Sequence, residues 1–155
     1  MTFFSDAITF ITQLSTDTLL IVLLLVGFLI TTLYLGKSWT ISFIFSLFIA
    51  NILFERIPFD LPLENGWYVF GTIILLALVI TSVVKRFISS DFPYKNRKKY
   101  TQSIILSVAL VTTLLSTGLT QAYTFSPLIS KWFTGDFLFW TSLIPLAILL
   151  FLIRK

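Results

Sequence analysis

Small hydroxyl side chains at a four-residue interval are the residues of this sequence that most nearly suggest a chemical site. They lie in GKSWTISFIFSLFIANILFER, on one face of a predicted helix, with an asparagine and a carboxylate near its end. Such a row can line a polar path for a solute, or it can let a second membrane helix approach closely. We favour packing, because small residues at this spacing are a common interface between membrane helices. The row comprises Ser38, Ser42, Ser46, Ala50, Asn51 and Glu55.

A second polar row lies in SVALVTTLLSTGLTQAYTF. Serine and threonine hydroxyls can bond to carbonyls of the preceding helical turn, but a face with so many of them is poorly suited to lipid. We therefore expect this face to meet the serine row, with Gly118 permitting close approach. Its candidate packing or pore-lining residues are Ser107, Thr113, Ser116, Thr117 and Thr120.

Other chemistry has little support in the sequence. Cysteine and histidine are absent, which removes thiolate chemistry, disulfides and the commonest metal ligand and general base near neutral pH. Glycine-rich phosphate loops, HExxH and GxSxG do not occur. Asp60 and Glu64 share one loop, but two carboxylates fall short of a calcium or magnesium site. The sequence therefore predicts a protein that is not an enzyme and that holds no cofactor or metal.

Membrane-spanning helices are the elements that must position the two polar rows. The chain has 155 residues, of which 57% are hydrophobic and 12% charged, and its mean hydropathy is +0.97. A soluble domain of this size could not bury so much apolar surface in one core. We predict an all-α integral membrane protein, with residues 1–155 forming a single polytopic domain in a plasma or inner membrane.

Five segments are long and apolar enough to cross a bilayer, since a crossing helix needs about 20 residues and about 17 at the short end. The second contains serines and an asparagine, so a partial or re-entrant element remains an alternative for it. No charged side chain lies in the middle of any of these segments. The predicted spans are 18–35, 38–54, 67–84, 102–122 and 137–153.

Lysine and arginine concentrate on one side of this topology. With the N-terminus outside and the C-terminus inside, all 11 of them except Arg56 and Lys131 are cytoplasmic, as the positive-inside rule requires. Most lie in the loop 85–101, where we expect them to set the topology and to contact anionic lipid or a partner rather than nucleic acid. These loop residues are Lys85, Arg86, Lys95, Arg97, Lys98 and Lys99.

Two shorter helices are predicted outside the spans. Apolar residues recur at helical spacing over the first 16 residues, which favours an interfacial amphipathic helix, although a mobile tail fits equally well. In SPLISKWF, Ser126 is a candidate N-cap and Pro127 a candidate first-turn residue. Trp132 would then anchor this second helix at the membrane surface.

The opening hairpin, residues 17–58, resembles the first two membrane segments of the colicin V production family. The shared features are an acidic residue before a leucine-rich span, a glycine and a basic residue in the turn, a serine-containing second segment and a proline after it. In this sequence they are Asp17, Gly36, Lys37, Ser42 and Pro58. The resemblance implies a small bacterial inner-membrane protein linked to envelope homeostasis or export. The later glycine-and-arginine motif of that family is not found here.

Two functions fit these observations. The first is a non-enzymatic scaffold or accessory subunit of a membrane assembly, which binds a membrane-protein partner or a second copy of itself. It follows from small-residue helix faces combined with spans that lack ionisable groups, since pumps and ion-coupled carriers place such groups at membrane depth. The alternative is a small oligomeric channel or transporter with a path lined by serine and threonine.

Overall fold

The computed structural model describes residues 2–56, 65–87, 99–133 and 136–153, and within these ranges all regular structure is helical. A π-helical turn, Leu115–Leu119, and a 3-10 turn, Lys131–Phe133, connect α-helices. The α-helices are α1 (Thr2–Leu35), α2 (Lys37–Phe54), α3 (Gly66–Phe87), α4 (Lys99–Leu114), α5 (Thr120–Ala122), α6 (Pro127–Ser130) and α7 (Asp136–Ile153).

Helix α1 is longer than the sequence predicts. It has 34 residues, so at 1.5 Å per residue it extends about 51 Å, whereas the hydrocarbon core of a bilayer is about 30 Å thick. The first 16 residues do not form a separate helix, because α1 runs without interruption from Thr2 into the leucine-rich span. The leucine-rich run that could cross a membrane is the later part of this helix, where the first span was predicted at 18–35.

A glycine turn joins α1 to α2. Gly36 has a φ of 87°, which glycine adopts without the steric cost that a Cβ imposes, and its N–H donates to the Thr32 carbonyl at 3.0 Å. Lys37, predicted to lie in this turn, is buried at the first position of α2. Helix α2 then continues for 18 residues to Phe54 without a break, so the second segment is one continuous helix.

The fourth predicted span is interrupted near its end. Regular α-helix stops at Leu114, and the π-helical turn that follows contains Gly118 at φ 144° and ψ −13°. A Cβ added to Gly118 would lie 3.2 Å from Cδ1 of Ile73 on α3, so glycine permits a close approach here. After one further turn, α5, the chain becomes extended at Tyr123.

The segment after this break turns back toward the bundle. Ser126 occupies the N-cap position of α6 and Pro127 its first turn, as predicted, although the serine hydroxyl makes no capping bond. Helix α7 follows and runs across a buried Pro145. Trp132, in the 3-10 turn, packs edge-to-face on Phe137 at the start of α7, with ring centroids 5.6 Å apart.

Helix α4 is central in the bundle because it packs against α1, α2 and α7, while α2 packs most extensively against α3. Two apolar clusters result. The inner cluster joins α2, α3, α4 and α7 through buried residues that include Ile44, Leu47, Ile73, Leu110 and Leu149. The outer cluster joins α1 to the π-helical turn and the segment beyond it, and its buried members are Val111, Leu115, Leu119 and Phe125.

Four helices are long and apolar enough to span a membrane. They contain the stretches Ile8–Leu35, Lys37–Phe54, Gly66–Arg86 and Tyr100–Leu119. A fifth candidate is counted when Pro127–Phe133 and Phe137–Leu150, which are bent by 68°, are taken together as one span. The all-helical prediction is thus confirmed over the described residues, and four or five of the helices could span a membrane.

Candidate functional site

The serine row lies inside the bundle over most of its length. Ser42, Ser46 and Ala50 have no exposed surface, whereas Ser38 and Asn51 are half-buried. Glu55 is exposed and caps the C-terminus of α2, next to an exposed Arg56.

The buried serine hydroxyls are hydrogen-bonded within their own helix. The Ser46 hydroxyl donates to the Ser42 carbonyl at 2.7 Å, and the Ser42 hydroxyl donates to the Ser38 carbonyl at 2.9 Å. These bonds satisfy the hydroxyls one turn back along α2, and within the described part of the chain neither hydroxyl bonds to another helix. The row therefore presents mainly methylene surface to its neighbours.

The second row follows the same pattern along α4 and the π-helical turn after it. Ser107, Thr113 and Thr117 are buried and donate to the carbonyls of the residues four positions earlier, at 2.7–2.8 Å. Ser116 and Thr120 are half-buried, and the Ser116 hydroxyl donates to the Thr113 carbonyl. Helices α2 and α4 do pack against each other. That the two rows meet face to face stays a prediction.

A polar contact between distant parts of the chain was not predicted. Asp17 is fully buried on α1, and its Oδ2 accepts a hydrogen bond from the backbone N–H of Ser126 at 2.7 Å. One turn earlier, the Gln13 side-chain amide donates to the Thr124 carbonyl at 3.4 Å. Together these bonds connect α1 to the extended segment that follows the break at Gly118. We call Gln13, Asp17, Tyr123, Thr124 and Ser126 the polar junction.

Two buried oxygens in the polar junction lack a hydrogen-bond partner among the described residues. They are Oδ1 of Asp17 and the hydroxyl of Ser126. Buried polar groups are nearly always paired, and a buried carboxylate oxygen without a partner is costly. The polar junction is therefore a region where buried polar atoms are incompletely satisfied within the described residues.

Tyr123 belongs to this junction and lies beyond the apolar stretch of α4. Partial burial of its ring, followed by hydrogen bonding and Coulombic repulsion from Asp17, raises the pKa of Tyr123 above its usual 10.0. The phenol therefore remains a neutral hydroxyl at physiological pH and can act as a hydrogen-bond donor beside the carboxylate.

The burial of Asp17 inside the bundle was not predicted. The predicted first span begins at residue 18, which leaves Asp17 just before it. In the structure Asp17 lies near the middle of the continuous helix α1, immediately before its leucine-rich stretch, and is fully buried. The run QLSTD could have indicated a polar contact at Asp17, because several polar residues in succession are unusual within a long apolar helix.

The predicted lipid-contact residues are only partly described. Lys85 and Arg86 are exposed in the last turn of α3, and Lys99 begins α4. Lys95, Arg97 and Lys98 lie outside the described residues, as do Asp60 and Glu64 of the acidic loop.

Within the described ranges, no group of three or more acidic side chains is placed to hold a metal ion. No protein-family model, curated protein or solved structure matches this chain. The function is therefore inferred from the geometry of the molecule.

Proposed function

We propose that this protein is a non-enzymatic accessory or scaffold subunit that binds other membrane proteins, or a second copy of itself, through α1. The observation that carries this proposal is the contrast between helices. Only 6% of the most apolar stretch of α1 is buried, compared with 67% in α4. A peripheral helix of this length offers a large surface for association within the membrane.

The uncovered face of α1 has the composition of a helix-packing surface. Leu19, Leu23, Val26 and Ile30 are all substantially exposed and recur at three- and four-residue intervals. Gly27 lies on the same face, and a Cβ added there would meet no atom within 4 Å. Since lipid tails are as apolar as leucine, close packing around a small residue is what favours helix association over lipid contact.

The burial of the two polar rows supports a binding role over a conduction role. A path along α2 and α4 would need hydroxyls directed to a water-filled space, but Ser42, Ser46 and Thr113 are buried and bonded within their helices. The resemblance of residues 17–58 to the colicin V production family would place such a subunit in envelope homeostasis or export, in the inner membrane.

The test is purification from native membranes in mild detergent, followed by native mass spectrometry. We expect a defined partner or a homo-oligomer. Gly27→Leu should release it, because a larger side chain separates the packed helices. Gly71→Leu on the exposed face of α3 is the matched control, since a Cβ added at Gly71 would also meet no atom within 4 Å. A monomer without partners, or equal complexes in both variants, would refute the α1 interface.

Asp17 supports one alternative, a small oligomeric transporter. Ionisable residues within membrane helices commonly mark ion or substrate pathways, and one oxygen of this buried carboxyl has no described partner. In liposomes, this alternative predicts solute or ion flux that Asp17→Asn abolishes. An accessory subunit predicts no flux above that of empty liposomes.

A further inference from the structure

Two clefts meet beneath the segment that contains α6 and the 3-10 turn. The outer cleft, of about 530 Å³, lies between the N-terminal half of α1 and the start of α7 and is lined by Phe10, Lys131 and Phe137. The inner cleft, of about 410 Å³, lies between α1, α4 and α7. Leu128 and Trp132 line both clefts, so the two clefts adjoin at these side chains, and we call the pair the groove. Each volume falls within the range of ligand pockets, about 300–1,000 Å³.

The inner part of the groove is apolar even where its residues carry hydroxyls. The Thr112 hydroxyl donates to the carbonyls of Val108 and Ala109, and the Thr141 hydroxyl donates to those of Phe137 and Leu138. Both threonines have thereby satisfied their hydroxyls within their own helices. The inner groove thus suits a hydrocarbon chain rather than a polar solute.

The outer end of the groove differs in charge. Lys131 is exposed there, beside Trp132, which is also exposed. Tryptophan favours the level of the lipid headgroups, and lysine at that level attracts anionic ones. An apolar groove with a single cation at one end is complementary to a molecule with a hydrocarbon chain and an anionic head.

We propose that this groove binds an anionic phospholipid, with one acyl chain in the inner cleft and the phosphate beside Lys131. A helix of a partner protein is a poorer fit. An apolar partner helix would leave the Lys131 end of the groove without a complementary charge, whereas an anionic headgroup supplies one. This site is separate from the α1 surface proposed above, because Ile21 and Leu25 line the groove from the opposite face of α1.

Selectivity should come from the headgroup. The acyl chain gains little by moving from lipid into an apolar groove, since both environments are hydrocarbon. One basic residue near the membrane surface contributes about 1 kcal/mol toward an anionic lipid, which corresponds to a roughly five-fold preference. The groove would thus distinguish lipids of equal chain length by their charge.

The test uses the full chain in mild detergent, titrated with phosphatidylglycerol or phosphatidylcholine of identical chains, and counts retained lipid by native mass spectrometry. We expect a roughly five-fold preference for phosphatidylglycerol, which Lys131→Gln removes while phosphatidylcholine binding persists. Val108→Trp, at a partly exposed groove position, should abolish retention of both lipids. Arg56→Gln, at an exposed position after α2, and Val79→Trp, at an exposed position on α3, should change neither result.

Three results would overturn the lipid site. They are equal binding of the two lipids by the wild type, an unchanged preference in Lys131→Gln, and undiminished lipid retention in Val108→Trp. Release of a protein partner by Val108→Trp without any change in lipid would identify the groove as a protein interface instead. Loss of oligomers in Gly27→Leu leaves these readouts unaffected, so the two proposals fail separately.

Discussion

Two parts of the bundle, the region around the inner cluster and the polar junction, satisfy their buried polar side chains in opposite ways. In the inner region, Ser42 and Ser46 donate to carbonyls four residues earlier on the same helix. In the polar junction, Asp17 accepts from the backbone of Ser126, which is 109 residues away in the chain. The first kind of bond forms whenever α2 is helical, whereas the second exists only when the bundle is assembled.

The two regions therefore have different roles, because one packs helices together and the other positions a segment of the chain. Locally bonded hydroxyls add little specificity, so the inner cluster depends on the shapes of apolar side chains and on small residues that allow close approach. The long-range bonds of the polar junction determine where the chain after Gly118 lies against α1. Because that chain leads into α6 and the 3-10 turn, the junction also positions Leu128 and Trp132, which line the groove proposed to bind lipid.

Among the substitutions that compare the two regions, Asp17→Ala should change the free energy of unfolding most. It leaves the buried N–H of Ser126 without its acceptor, and hydrogen bonds to charged groups contribute about 1.5–3 kcal/mol. We expect the free energy of unfolding in mild detergent to fall by about that amount. Asp17→Asn, whose side chain can still accept a bond, should recover part of it. Equal stability of wild type and Asp17→Ala would show that this bond contributes nothing.

Gly118→Ala tests the break at the end of α4. A residue with a Cβ is strained at φ 144°, which costs about 1–3 kcal/mol, and the new Cβ would also crowd Ile73. Thermal unfolding in detergent should therefore occur at a lower temperature. Gly71→Ala is the control, because Gly71 is helical and open, so alanine there should be neutral or should stabilise by up to about 1 kcal/mol. A neutral Gly118→Ala would contradict the strained conformation.

Ser46→Ala should have the smallest effect. The hydroxyl bonds only within its own helix, and side-chain hydrogen bonds in membrane proteins average about 0.6 kcal/mol. We expect a change in the free energy of unfolding no larger than this. Ser46→Leu should instead destabilise by about 1–3 kcal/mol, because the position is fully buried. If leucine were tolerated there, the row would face open space, and the pore interpretation would regain support.

Local patterns were sufficient for the helical architecture. A run of apolar residues such as that in α2 has one favourable conformation in lipid, because only a helix satisfies its own backbone hydrogen bonds. The predicted second span, 38–54, therefore matches Lys37–Phe54 closely. Ser126 and Pro127 likewise predicted the start of α6, since both act through backbone geometry within one turn.

Long-range features could not be predicted in this way. The sequence places Asp17 just before the apolar run of α1, but composition does not report that Asp17 is buried there or that Ser126 donates an N–H to it. Gly118 was expected to allow close approach, but the positive φ that interrupts α4 depends on contact with α3 and the turn toward α1.

The sequence by itself determined that this chain consists of apolar helices suited to a membrane, and approximately where most of them begin and end. Tertiary structure decided which polar groups are buried, where α4 breaks and where a groove opens beside Lys131. The physical reason is the separation along the chain of the residues that decide each feature. Helix formation in lipid depends on residues within a few turns, whereas burial and the partners of Asp17 depend on segments more than a hundred residues apart.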